Sequence, residues 1–134
     1  MEIHKAEKII KNFLRNMEAR NLDAAQALMA PGAKIIFPGG IEFYSQAEMV
    51  AAARNRYQWV KKNFDDLDSF NKEDQLIVIV RGTLFGVNNY GVDFSGIRYI
   101  DRFVLENNLI VSQEVWNDLA ETGVLEIKDI PFES

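Results

Sequence analysis

Between Ser95 and Leu119, apolar and polar side chains alternate through two runs that meet at Glu106-Asn107-Asn108. A period of two predicts two antiparallel strands joined by a tight turn. The alternation also sorts the residues by face. Ile97, Tyr99, Asp101 and Phe103 fall on one side; Arg98, Ile100, Arg102 and Val104 fall on the other. Burying two arginines costs more than burying one carboxylate, so the side carrying Asp101 is expected to point inward. On the second strand Gln113, Val115 and Asn117 share that inner face, and Glu114, Trp116 and Asp118 the outer one. An aspartate inside a strand is uncommon. It has to reach solvent, find a partner, or meet a ligand in a cavity.

The chain before this pair divides into helices and then strands. Ile3, Ala6, Ile10, Phe13, Leu14 and Met17 recur at helical spacing, with charged residues opposite. Asn21 is placed to cap a shorter helix carrying Leu22, Ala25, Leu28 and Met29, which Pro31-Gly32 ends. Lys34 to Phe37 reads as a short strand and Pro38-Gly39-Gly40 as a turn. Ser45 and Glu48 have capping-box spacing. Met49, Val50, Ala53, Tyr57, Val60 and Phe64 follow on one stripe and predict a third helix of about five turns. Lys61-Lys62 and the aspartates after them then read as its solvated end. Asp65 to Lys72 is expected as an edge strand, and Gln75 to Gly86 as a strong strand bent at Gly82 and Gly86. On it Val78, Val80, Gly82 and Leu84 should face inward, and Arg81, Thr83 and Phe85 outward. The segment from Glu121 to Ser134 either packs on the sheet or stays loose.

Helices followed by a run of antiparallel strands predict an α+β fold, in one domain spanning residues 1–134. The formal charge of −5, without a basic run, argues against a nucleic-acid surface. The absence of cysteine removes disulfides, thiolate metal sites and cysteine nucleophiles. A single histidine, His4, is too few for a multi-histidine metal site and reads as a helix-surface residue. No long apolar segment is present, so the expectations are no membrane span and cytoplasmic residence.

Several segments, in this order, resemble the nuclear transport factor 2-like superfamily and its SnoaL-like group. They are Asn21-Leu-Asp23 with Ala27-Leu-Met29, Phe37-Pro-Gly-Gly40, Ile100-Asp-Arg-Phe103 through Leu109-Ile-Val111, and Val115-Trp-Asn-Asp118. The resemblance covers residues 3 to 119. It implies a cone-shaped, cystatin-like barrel in which three N-terminal helices pack on a strongly curved, mainly antiparallel mixed sheet. It also implies a deep, mostly apolar pocket, acid–base chemistry without a metal or other cofactor, and a homodimer formed through the outer sheet face.

The same resemblance tests the chemistry. Against ketosteroid isomerase, Phe13 stands at the tyrosine position, Phe37 at the base, and Asp101 at the protonated aspartic acid. Phenylalanine neither accepts a proton nor donates a hydrogen bond, so that mechanism is excluded. Scytalone dehydratase relies on histidines that His4 alone cannot replace. The acid–base aspartate of the polyketide cyclase group aligns with Val115, with Asp118 three positions on. What remains is Asp101 as a proton donor or relay, or else a carboxylate tied up by Tyr57, Arg54 or backbone donors. The expected pocket is Phe13, Phe37, Arg54, Tyr57, Val80, Tyr99, Phe103, Gln113 and Asn117 around Asp101. The expected partner is a small hydrophobic molecule bearing one or two oxygens. Arg81, Phe85, Arg98, Arg102 and Trp116 are the expected dimer face. Two functions stay open: a cofactor-free cyclase, isomerase or dehydratase, and a non-catalytic dimeric binding or assembly module.

Overall fold

The computed structural model describes residues 2–128. Helix α1 (Ile3–Glu18) buries Ala6, Ile10, Phe13, Leu14 and Met17, the stripe that its sequence spacing predicts. Each large apolar side chain so buried contributes roughly 1.5–3 kcal/mol before conformational entropy is subtracted. Helix α2 (Leu22–Gln26) is followed directly by strand β1 (Met29–Phe37). Leu28 and Met29 therefore leave the second helix, and Asn21 makes no side-chain cap. A short strand β2 (Ile41–Phe43) turns back on β1.

Helix α3 (Gln46–Ala53) starts where Ser45 accepts the Glu48 N–H at 3.2 Å, as the capping spacing requires. It has only eight residues, not five turns. Strand β3 (Tyr57–Lys72) takes over the rest of the expected helix. Strands β4 (Gln75–Asn88), β5 (Asp93–Glu106) and β6 (Leu109–Asn117) follow, then a short helix α4 (Leu119–Thr122). The β5–β6 turn has two central residues, Asn107 and Asn108, at φ 50° and 65°. Asparagine tolerates that left-handed region, which a two-residue hairpin of this twist demands.

The sheet runs β2-β1-β6-β5-β4-β3, with β1 parallel to β6 and the other neighbours antiparallel. It is an α+β fold, a curved mixed sheet closed by helices. The failed helix has a physical explanation in β3. Its ladder slips twice against β4, between Tyr57 and Trp59 and between Phe64 and Asp66. Each bulge lies near a glycine of β4. A Cβ on Gly82 would stand 1.9 Å from the Asn63 carbonyl oxygen, and one on Gly86 2.1 Å from that of Trp59. Bare backbone at these two points lets β3 fold over β4, so the glycines are the bends that the sequence suggests. The bulges also break the period of two. The more buried side chains of β3 are Tyr57, Val60, Lys62, Phe64, Leu67 and Ser69. Spacings of three and two mimic a helical stripe.

The segment after α4 is held by one buried side chain. Asn88 donates to the carbonyls of Val124 and Ile127 at 3.0 and 2.7 Å and accepts from the N–H groups of Tyr90 and Val92. Val124 and Leu125 pack on the core. Ile130-Pro-Phe132 lies outside the described residues.

Candidate functional site

Asp101 is fully buried, between Val80 on β4 and Val115 on β6. Its partner is neither Arg54 nor Tyr57. Lys62 reaches across from β3, and its Nζ donates to Asp101 Oδ2. The other oxygen, Oδ1, has no hydrogen-bond partner among the described residues.

Lys62 is held from several sides. Its backbone N–H donates to Glu18 Oε2 at 2.6 Å, and Arg15 donates to its carbonyl at 3.4 Å. Arg15 also pairs with Glu18 at 2.7 Å and stacks over the Phe64 ring at 4.2 Å. The end of α1 thus pins β3 between its two bulges. The Lys62 ammonium lies 4.9 Å from the Tyr99 ring centroid, within the range of a cation–π contact. Tyr99 in turn donates its hydroxyl to the Asn63 carbonyl at 3.0 Å. Burial, reinforced by Asp101 and then Asp65, raises the Tyr99 pKa far above its ordinary value.

A cavity of about 100 Å³ opens beside this pair. Its walls come from the end of α1, from α3, and from the inner faces of β1, β3, β4 and β6. Leu14, Met49, Val50, Leu84 and Val115 make much of it apolar. Of the residues expected at the pocket, Phe37, Tyr57, Gln113 and Asn117 line it. Phe13, Val80, Tyr99 and Phe103 do not; they are buried beneath it as packed core, with the Phe13 and Phe103 rings edge to face at 5.8 Å. Arg54 is exposed at the end of α3 and is not in the lining. Once the third helix stops at Ala53, its stripe no longer carries Arg54 toward the interior.

Lys62, Arg20, Arg56 and Glu18 line the cavity without any prior signal at single residues. Lys62 sat in a lysine pair that looked solvated, and only the bulged phase of β3 turns it inward. Burial raises the Tyr57 pKa, partly offset by Arg20 and Arg56. Tyr57 makes no side-chain hydrogen bond among the described residues, so its hydroxyl is available to the cavity. Asn117 Oδ1 accepts the Leu119 N–H at 3.1 Å, which leaves its amide NH₂ available. Gln113 is 5% exposed, and its Oε1 has no partner among the described residues. No cluster of three or more His, Asp or Glu side chains suited to a metal occurs among the described residues.

The opposite face of the sheet carries the arginines. Arg81 pairs with Asp66 at 2.9 Å, Arg98 with Asp118 at 2.6 Å, and Arg102 with Glu114 at 3.7 Å. Trp116 is 49% exposed there, and Phe85 packs edge-on against Trp59 at 6.0 Å.

No family model and no curated protein matches the sequence. Solved structures do match in shape. TerC, co-crystallised with polyporic acid, superposes with a TM-score of 0.75 at 14% identity, covering 92% of this chain and 99% of that one. An NTF2-like protein of unknown function from Burkholderia pseudomallei K96243 gives 0.75 at 16% identity, covering 95% and 100%. The chain has the nuclear transport factor 2-like fold. A protein assigned as a SnoaL-like polyketide cyclase, from Jannaschia sp. CCS1, superposes with a TM-score of 0.72 at 13% identity, covering 95% of each chain. At such identities the likeness is one of fold. No helix among the described residues is long and apolar enough to cross a membrane.

Proposed function

We propose that this chain binds a small hydrophobic, oxygen-bearing molecule and acts on it by acid–base chemistry without a cofactor. The observation that carries the reading is Lys62 in the wall of a largely apolar cavity, paired with the fully buried Asp101, which lies behind the lining. An ammonium has three N–H donors. Asp101 takes one, and the others are free to meet a ligand oxygen. A fixed cation in a water-poor site stabilises an oxyanion or enolate as its charge develops. Asp101 balances the ammonium and is its proton relay: Lys62 passes one proton to Asp101 as it takes the proton leaving the molecule, and Asp101 hands its proton back in the reverse step. Tyr57, kept neutral by burial, is a second donor. Gln113 and Asn117 orient the molecule. Cyclisation, isomerisation and dehydration all suit such a site. The fold shared with TerC and with the polyketide cyclase-like protein supports a small-molecule ligand, by analogy of fold.

Native mass spectrometry of the protein taken from its own cell is the first test. A co-purifying small molecule is expected. Incubating that molecule with the protein in heavy water should then show proton exchange next to its carbonyl. Lys62→Met should slow this exchange by at least about 100-fold, the lower end of what a general acid contributes. Exchange that survives unchanged would reject the assignment.

A second reading rests on a different observation. Among the described residues Glu18 is the one carboxylate in the cavity lining, and Arg15 and the Lys62 N–H already occupy it. With no free base, the domain suits a non-catalytic dimeric binding or assembly module. Its dimer surface would be the face of Arg81, Phe85, Arg98, Arg102 and Trp116. Sedimentation should find a dimer that Trp116→Lys converts to monomer; a wild-type monomer at high concentration would refute this surface.

A further inference from the structure

The charges around the cavity do not cancel. Glu18 is satisfied within the protein, and Lys62 is neutralised by Asp101. Arg20 and Arg56 remain. Arg20 donates to the Met17 carbonyl at 2.7 Å, and neither arginine forms an ion pair among the described residues. Both guanidiniums lie close enough to Tyr57 to pull its pKa down against burial. Arg20 is exposed and Arg56 half-buried, so they form the wet rim of a cavity whose inner wall is buried. The chain as a whole has a formal charge of −5, so this rim opposes the average. Such a local field draws in an anion.

The inner wall makes a separate demand. Gln113 lines the cavity, is 5% exposed, and leaves Oε1 unpaired among the described residues. Turning the amide over would only exchange an unmet acceptor for unmet donors. A buried polar group in this state is costly unless a ligand completes it.

We infer that the cavity takes a small organic carboxylate, held at the rim by Arg20 and Arg56, with a hydroxyl at its far end that hydrogen-bonds to the Gln113 amide. This rests on the pocket reading above and names the class of its ligand. Size limits the ligand to one ring. The cavity is about 100 Å³ and open at the rim. A closed cavity of roughly 150 Å³ admits benzene. This one is smaller, so a single ring is the most it takes, with part of the ring and the carboxylate standing at the open rim.

The test is titration calorimetry of the full chain with 4-hydroxybenzoate, benzoate and methyl 4-hydroxybenzoate. The acid should bind about tenfold tighter than its methyl ester, because only the acid offers a charge-assisted hydrogen bond to guanidinium. The double variant Arg20→Met/Arg56→Met should erase that preference and leave the ester's affinity unchanged. Gln113→Leu should erase the advantage of 4-hydroxybenzoate over benzoate, and Gln113→Met replaces it where leucine unsettles the core. Thermal unfolding checks each variant. Equal binding of acid and ester, or a preference that survives the double variant, overturns the carboxylate assignment but leaves the pocket reading intact. Equal binding of 4-hydroxybenzoate and benzoate, or an advantage that survives both Gln113 variants, overturns the hydroxyl contact. No binding by any of the three overturns both this inference and the pocket reading.

Discussion

Lys62 and Asp101 meet from strands that are not neighbours in the sheet, with β4 lying between them. The carboxylate is fully buried and the lysine side chain 18% exposed, so the pair is unequal. Removing the lysine strands a buried charge; removing both does not. Lys62→Met should destabilise the protein by about 3 kcal/mol, at the low end for a buried pair because water reaches the lysine. Lys62→Met/Asp101→Leu should recover most of that loss, and urea unfolding of the two variants measures the difference. Strand alternation made the inward direction of Asp101 legible, through the cost of burying Arg98 and Arg102. Its partner was not legible. A lysine followed by aspartates reads as solvated surface at any single position, and the long-range contact that decides otherwise is 39 residues away in sequence.

Strand β3 is where local pattern and tertiary structure part. Helix α1, the three long strands β4 to β6 and the Ser45 cap follow from spacing, because regular burial leaves a regular period. A bulge adds a residue to one strand and shifts every side chain after it. Two bulges in one strand produced the spacing of a helix, and with it the misplacement of Arg54 at the pocket. The signals against that helix were the aromatic and β-branched run at Tyr57 to Val60, and two glycines in a partner strand that only a close backbone would need. Gly82→Ala tests the arrangement. The added methyl meets the backbone oxygen of Asn63, which cannot swing aside, so β3 must move. A loss of about 2–3 kcal/mol is expected, as for overpacked cores. Weaker hydrogen-exchange protection should appear around Asn63 and Lys62, and an unchanged melting temperature would show that β3 is freer than its ladder implies.

The molecule as a whole carries its buried tyrosines into alkaline solution. Burial raises the pKa of both Tyr57 and Tyr99. In the unfolded chain they ionise near the ordinary value of ~10. Below that pH both states keep their protons and the stability is intact. Above it the unfolded chain loses protons that the folded one retains, so stability falls as pH rises. Urea midpoints at rising alkaline pH should fall, and a Tyr57→Phe/Tyr99→Phe variant should fall less steeply; equal slopes would contradict the burial of these phenols. The sheet that buries them ends in two different margins, a three-residue β2 and a 16-residue β3. A margin as long as β3 invites another chain to extend the ladder. The bulges that aim Lys62 at Asp101 also interrupt that margin, and Lys61, Asp66, Asp68 and Lys72 stud it with charge. No straight, uncharged stretch of six or seven residues is left for a fibril to template. The irregularity that turns Lys62 inward is thus also what leaves this margin a poor template, and a variant that straightened β3 would offer other copies a longer regular edge.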